Sequence, residues 1–181
     1  FERKEMAFIP GTEKEVELII HQVASMIKIF READRSGNKR LKQWAKSTVD
    51  HACRQLEIFI SPEVSVKAAK LASDRGYSLK AMRWPFQDYA FIEGEKKKKQ
   101  LHWEHVLPIS CLRSRLMEVQ DLENFELIKK VFLAYDIAWI TKEENEALDR
   151  NKYRKQRPEN PWEAYKNVGI DIVGKSWGTS T

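Results

Sequence analysis

The sequence predicts an α+β fold, mostly α, on three observations. Apolar residues recur with the helical period through two long stretches near the amino end. Beyond residue 100, short β-favouring apolar runs alternate with further helical patterns. Between these regions Trp84-Pro85 breaks the pattern, and a charged run from Glu93 to Gln100 comes next. The boundary is placed there, giving a helical domain at 1–92 and a mixed one at 93–181.

Thr12-Glu13-Lys14-Glu15 has the capping-box pattern, and Val16, Ile19, Ile20, Val23, Ile27 and Phe30 continue it as an amphipathic helix. Arg35-Ser36-Gly37-Asn38 suits a chain reversal. A second helix carries Leu41, Trp44, Ala45, Val49, Ala52, Leu56 and Phe59 on its apolar face, which makes an antiparallel hairpin. His21 and His51 lie in these helices without ligand partners at suitable spacing and are read as structural or exposed. Ser61-Pro62 predicts a third helix over about 62–75 that Gly76 ends, and Tyr77 to Met82 starts a short fourth. Helix, glycine, helix is read as scaffold ahead of DNA recognition.

The densest chemistry lies in Leu101-His102-Trp103-Glu104-His105-Val106-Leu107-Pro108-Ile109-Ser110, which is read as a catalytic metal site on a strand. Side chains alternate along a strand, so His102 and Glu104 share one face while Trp103 and His105 take the other. Glu104 and His105 can serve one reacting centre only if the strand ends here and leaves regular geometry, which Pro108 encourages. Trp103 is read as core.

Arg113 and Arg115 come next, on a short helical stretch. Asp121 then opens a helical pattern of Leu122, Phe125, Ile128, Val131, Phe132 and Tyr135. Ile137-Ala138-Trp139-Ile140 is the antiparallel partner of the Glu104 strand. Thr141-Lys142-Glu143-Glu144 is a second capping box, so a helix begins at Lys142, with Glu144 turned back on its own terminus. Asn145 and Asp149 share a face of that helix. Lys152, Arg154, Lys155 and Arg157, interleaved with Tyr153, form a basic segment. Asn160-Pro161-Trp162 starts a last helix ended by Gly169, Ile170 to Val173 is an edge strand, and the tail from Gly174 is loose.

The run Glu104-His105-Val106-Leu107-Pro108-Ile109-Ser110 resembles the Asp/Glu-His-x-x-Pro signature of HNH endonucleases, the ββα-metal group that cuts phosphodiester bonds. The resemblance covers roughly residues 100 to 157. It implies a hairpin whose first strand delivers Glu104 as metal ligand and His105 as general base, and after it a helix that supplies another ligand. Residues 93–181 would then be an HNH-like module with an inserted helix and a basic carboxy-terminal extension. Asn145 matches the Asn of the pattern by residue type and is preferred, whereas Asp149 is the stronger ligand for a hard cation. His102 ranks below Glu104 and His105 as a further metal ligand. One divalent ion is implied, most simply Mg²⁺; Mn²⁺, Ni²⁺ or Zn²⁺ stay open because Asn, Glu and His102 mix oxygen and nitrogen.

Charge and composition agree with a polyanionic partner. Lys plus Arg number 32 against 27 Asp plus Glu, for a net charge of +5, and the pI is near 9.1. DNA is the expected partner, with RNA not excluded. Its phosphates would meet Lys96, Lys97, Lys98, Lys99, Arg113, Arg115, Lys152, Arg154, Lys155 and Arg157. Cys53 and Cys111 form no Cys-x-x-Cys pair, which argues against a disulfide framework or zinc knuckle and for a reducing, cytoplasmic setting. No apolar run approaches the ~20 residues that span a bilayer, and Phe1 to Glu5 lack the core of a secretion signal, so no membrane partner is expected. Phosphate loops, dinucleotide fingerprints and nucleophile elbows are missing from the sequence. The sequence therefore points to a metal-dependent DNA endonuclease. Its rivals are a nucleic-acid-binding protein without catalysis, docking through residues 64–82, and an RNA-cleaving toxin or defence effector. A homodimer is left open.

Overall fold

The computed structural model describes residues 13–55, 57, 60–82, 92–93, 98–133, 136–154, 156–175 and 177. Leu56, Phe59, residues 83–91, Lys96, Lys97, Tyr135 and Lys155 lie outside them. Among the described residues the protein is a mostly helical α+β structure with one small three-stranded sheet. No helix there is long and apolar enough to cross a membrane.

Two compact units are present, and neither is a continuous half of the chain. Among the described residues, one unites those of 61–106 and 136–177; the other unites those of 13–60 and 107–133. The expected division at residue 92 is thus replaced by an insertion, because residues 61–82 pack on the sheet and 107–135 join the first two helices.

The all-helical unit contains α1 (Glu13–Arg35), α2 (Lys39–Gln55), α4 (Ile109–Glu118) and α5 (Phe125–Leu133). Gly37 adopts φ +70° between α1 and α2, a left-handed conformation that costs glycine little, and Asn38 accepts the Leu41 amide at 3.0 Å to begin α2. The core takes Ile20, Val23 and Ile27 from α1, Ala45, Val49 and Cys53 from α2, Leu112 and Leu116 from α4, and Ile128 from α5. Trp44, expected on the apolar face of α2, is 52% exposed. Arg31 reaches the closing carbonyls of α4, donating to Met117 O at 3.1 Å and Val119 O at 2.5 Å. A cation there complements the negative end of the helix dipole. Asp121 caps a turn through the amides of Glu123 and Asn124, so α5 begins later than its apolar pattern does.

The second unit is built on the sheet order β1-β5-β4, from β1 (Glu63–Val64), β4 (Leu101–His105) and β5 (Ile137–Thr141). β5 is central: it runs parallel to β1 and antiparallel to β4. The helix expected over 62–75 starts later, because residues 63–64 pair with β5 and Ser65 caps α3 (Val66–Ser73) by accepting the Ala68 amide at 3.1 Å. Gly76 at φ +74° closes α3 as expected. Beyond Gly76 the chain makes a single 3-10 turn, Leu79–Ala81, with Leu79 buried, so no second helix is available there for docking on DNA. β2 (Ile92–Glu93) and β3 (Lys98–Lys99) pair antiparallel across the charged run. Ile172 makes an isolated bridge to Ser65 where an edge strand was expected.

α6 (Lys142–Arg150) continues from β5 without a break, through a complete capping box between Thr141 and Glu144. Glu144 Oε2 also accepts the buried Ser65 hydroxyl at 2.6 Å, which ties the starts of α3 and α6 together. α7 (Trp162–Asn167) completes a core of Val106, Ala138, Ile140, Leu148, Ala164, Tyr165, Ile170 and Ile172.

Candidate active site

Register decides which side chains meet. Trp103 pairs with Trp139 and His105 with Ile137 on one face of the sheet, whereas His102 and Glu104 pair with Ile140 and Ala138 on the other. The two tryptophans meet edge-on at 4.8 Å, and Trp139 Nε1 donates to Met82 O at 3.1 Å, so Trp103 is core as expected. Ala138 and Ile140 pack with Leu148 of α6 and Tyr165 of α7, so these helices cover the face that carries His102 and Glu104.

On that face lies a three-residue polar cluster. Glu104 Oε2 is 3.1 Å from His102 Nε2, and Glu104 Oε1 accepts from Arg157 Nη2 at 2.5 Å. Arg157 Nε also donates to Val106 O at 3.1 Å, so the guanidinium grips both the carboxylate and the end of its strand. Side-chain exposure rises from 1% for Arg157 through 14% for Glu104 to 30% for His102, so the cluster runs from the interior to the surface and the imidazole is its accessible end.

Tyr165 lies beneath it, with its ring centre 6.0 Å from Arg157 Cζ. Burial, with the Glu104 charge adding, raises its hydroxyl well above the usual phenol range and keeps it neutral. Tyr165 Oη and Arg157 Nη1 are both buried without a hydrogen-bond partner among the described residues. Asp136, just before β5, accepts Trp162 Nε1 at 3.0 Å; burial raises its pKa and the indole bond opposes that shift.

The structure keeps apart several residues that the sequence grouped. β4 remains regular through His105, and the Val106 amide extends the ladder to Asp136 O at 3.0 Å before the chain bends. The departure from strand geometry that would join Glu104 and His105 does not occur, and they leave β4 on opposite faces. Of the two residues on α6, Asn145 is buried and Asp149 exposed, so their expected common surface is split between core and solvent.

The basic residues divide likewise. Lys99, Lys152 and Arg154 are exposed and Arg115 is half-buried; Lys98 is described in backbone alone. Arg113 is held by both oxygens of Asp50, which ties α4 to α2. Arg157, expected on phosphate, is instead buried against Glu104, because the carboxylate needs a cation once it leaves water. Sequence reasoning also passed over Tyr165 and Asp136. Pairing of residues so far apart in the chain leaves no local signal, and only an isolated aromatic and a lone aspartate stand at those positions.

Two donors of the kind a divalent ion takes, a carboxylate oxygen and an imidazole nitrogen, lie side by side. Glu104 Oε2 and His102 Nε2 are separated by about one edge of an octahedron built on 2.0–2.1 Å bonds, roughly 3 Å. Arg157 occupies the other carboxylate oxygen, leaving this one turned to the accessible side. Among the described residues no three His, Cys, Asp or Glu side chains gather into a larger ligand set.

Fold and site together define a mostly helical α+β protein with an arginine-backed histidine–carboxylate pair on its small sheet. No protein-family model, curated protein or solved structure matches the chain.

Proposed function

We propose that the protein is a metal-dependent endonuclease of the HNH type that hydrolyses phosphodiester bonds in DNA. One observation carries the reading: the strand that ends in Glu104-His105 pairs antiparallel with β5, and α6, with Asn145 buried on it, continues directly from β5. Strand, strand, helix is the order that the resemblance to HNH endonucleases implies. Glu104 and His102 would hold the ion, with Asn145 as the further ligand that the resemblance implies, and a divalent ion supplies charge stabilisation at the scissile phosphate and the leaving oxygen. Arg157 fixes the Glu104 carboxylate, so its other oxygen is held beside His102 before substrate arrives. His105 accepts the proton of the attacking water, as an O–P bond forms and the bond to the leaving oxygen breaks, only if substrate binding bends the end of β4 out of strand geometry, since His105 lies across the sheet from Glu104.

The 3.1 Å contact with Glu104 favours a second assignment within the same reaction, in which His102 is the base. Single-turnover plasmid cleavage by His105→Ala, alongside circular dichroism, decides between them, since His102→Ala loses rate under either assignment. The base variant loses 10²–10⁴-fold in rate while keeping its fold. EDTA abolishes cleavage without unfolding the protein. Wild-type rates in both variants, or cleavage undiminished in EDTA, would remove this reading.

A further inference from the structure

α2 breaks a local rule that helices ordinarily keep. Its first turn holds no acidic residue and begins Lys39-Arg40, two cations at the positive end of the helix dipole. Along its length Lys39, Arg40, Lys42, Lys46 and Arg54 face one carboxylate, Asp50, in a chain whose net charge is only +5. Such a concentration costs stability unless an anion meets it.

We propose that α2 is a nucleic-acid docking helix that receives the phosphates of duplex DNA in the groove between α2 and α4. The groove has a volume of about 500 Å³ and is lined by Lys39, Lys42 and Lys46 from α2 and by Arg113, Ser114 and one carboxylate, Glu118, from α4. Lys42 is paired with Asp34 and Arg113 with Asp50, which hold their side chains in place. Lys39 and Lys46 have no carboxylate partner among the described residues and remain for the ligand. At 1.5 Å per residue these two lie about 10 Å apart along the helix, the length over which one strand of a duplex presents about three phosphates.

The charge of α2 suits a nucleic acid better than a lipid surface, for Trp44, 52% exposed, is its one exposed large apolar side chain. A helix lying in a bilayer interface needs a broad apolar face. The apolar face of α2, Ala45, Val49, Ala52 and Cys53, is already buried in its own unit.

The test is fluorescence anisotropy of a labelled duplex with the full chain in EDTA, over a range of salt concentrations. The polymer is all this inference shares with the proposed function. Because binding is read without cleavage, a failed docking surface and a failed nuclease give different results. Lys39→Gln with Lys46→Gln should lower affinity at least tenfold at low salt and reduce the slope of log affinity against log salt by about two. The control pair Lys67→Gln with Lys70→Gln on α3, which removes the same charge from two exposed side chains, should leave both unchanged. Equal losses in the two pairs would reduce the effect to net charge and overturn the proposal. So would an unaltered α2 variant, or binding to phosphatidylserine vesicles with none to DNA.

Discussion

Arg157 shows how much one side chain can settle. A guanidinium with 1% exposure and a carboxylate with 14% have given up most of their hydration, and each compensates the other. Arg157→Met should therefore cost about 3–5 kcal/mol in urea denaturation, because it leaves Glu104 charged and uncompensated. Glu104→Gln in the same background should recover much of that loss. Arg157→Lys should be intermediate, since an ammonium cannot reach Glu104 and Val106 O together as a fork does. If Arg157→Met unfolds at the wild-type urea concentration, the ion pair contributes nothing to stability. At this scale the sequence was a poor guide: Arg157 reads as one more cation of a basic segment, and its partner lies on a distant strand.

The elements were more legible than their partners. α1 and α2, the turn at Gly37, the capping box of α6 and the strand at 137–140 arise from periodicity and capping chemistry, which act within a few residues. β1 and the start of α3 do not, because Ser61-Pro62 offers a local signal as good as that of Ser65. Tertiary pairing with β5 selects between them. Ser65 then serves both helices, capping α3 and donating to Glu144 at the head of α6. Ser65→Ala should cost about 1–2 kcal/mol, more than an isolated cap in the lower part of its range, because a buried carboxylate oxygen loses a donor as well. A thermal melt reads this directly, and an unchanged midpoint would show that the tie between α3 and α6 is not a stabilising one.

Across the whole molecule, pH reports on buried acids. The pKa of Asp136 is raised in the folded state, chiefly by burial, so the folded protein holds this proton more tightly than the unfolded chain does. Its contribution to stability is full below the unfolded pKa of an aspartate and is lost as pH rises through the folded value. Asp136→Asn keeps an oxygen for Trp162 Nε1 and removes the ionisation. The variant should therefore be more stable than wild type at pH 7, and the difference should shrink towards pH 4; a variant less stable at pH 7 would contradict the burial argument. Cys53 is governed by the same desolvation, its thiol pushed up to about 12, so it stays a protonated, reduced core residue.

By itself the sequence determined the helical periods, the capping box of α6, the Glu104 strand, the strand at 137–140 and the stretch where chemistry is concentrated. All of these rest on interactions within a helical turn or on the two-residue alternation of a strand. It also fixed that His102 and Glu104 share a face, and β4 keeps them together. The tertiary structure alone decided that 107–135 leaves the sheet's unit, that His105 lies across the sheet from Glu104, and that Arg157 is buried as the carboxylate's partner. It likewise left Lys39, Arg40 and Arg54 of α2 exposed while burying Ala45, Val49, Ala52 and Cys53. Each of those outcomes depends on which surfaces meet after the chain folds back, and a local pattern of residues holds no record of the side chain that will lie opposite it.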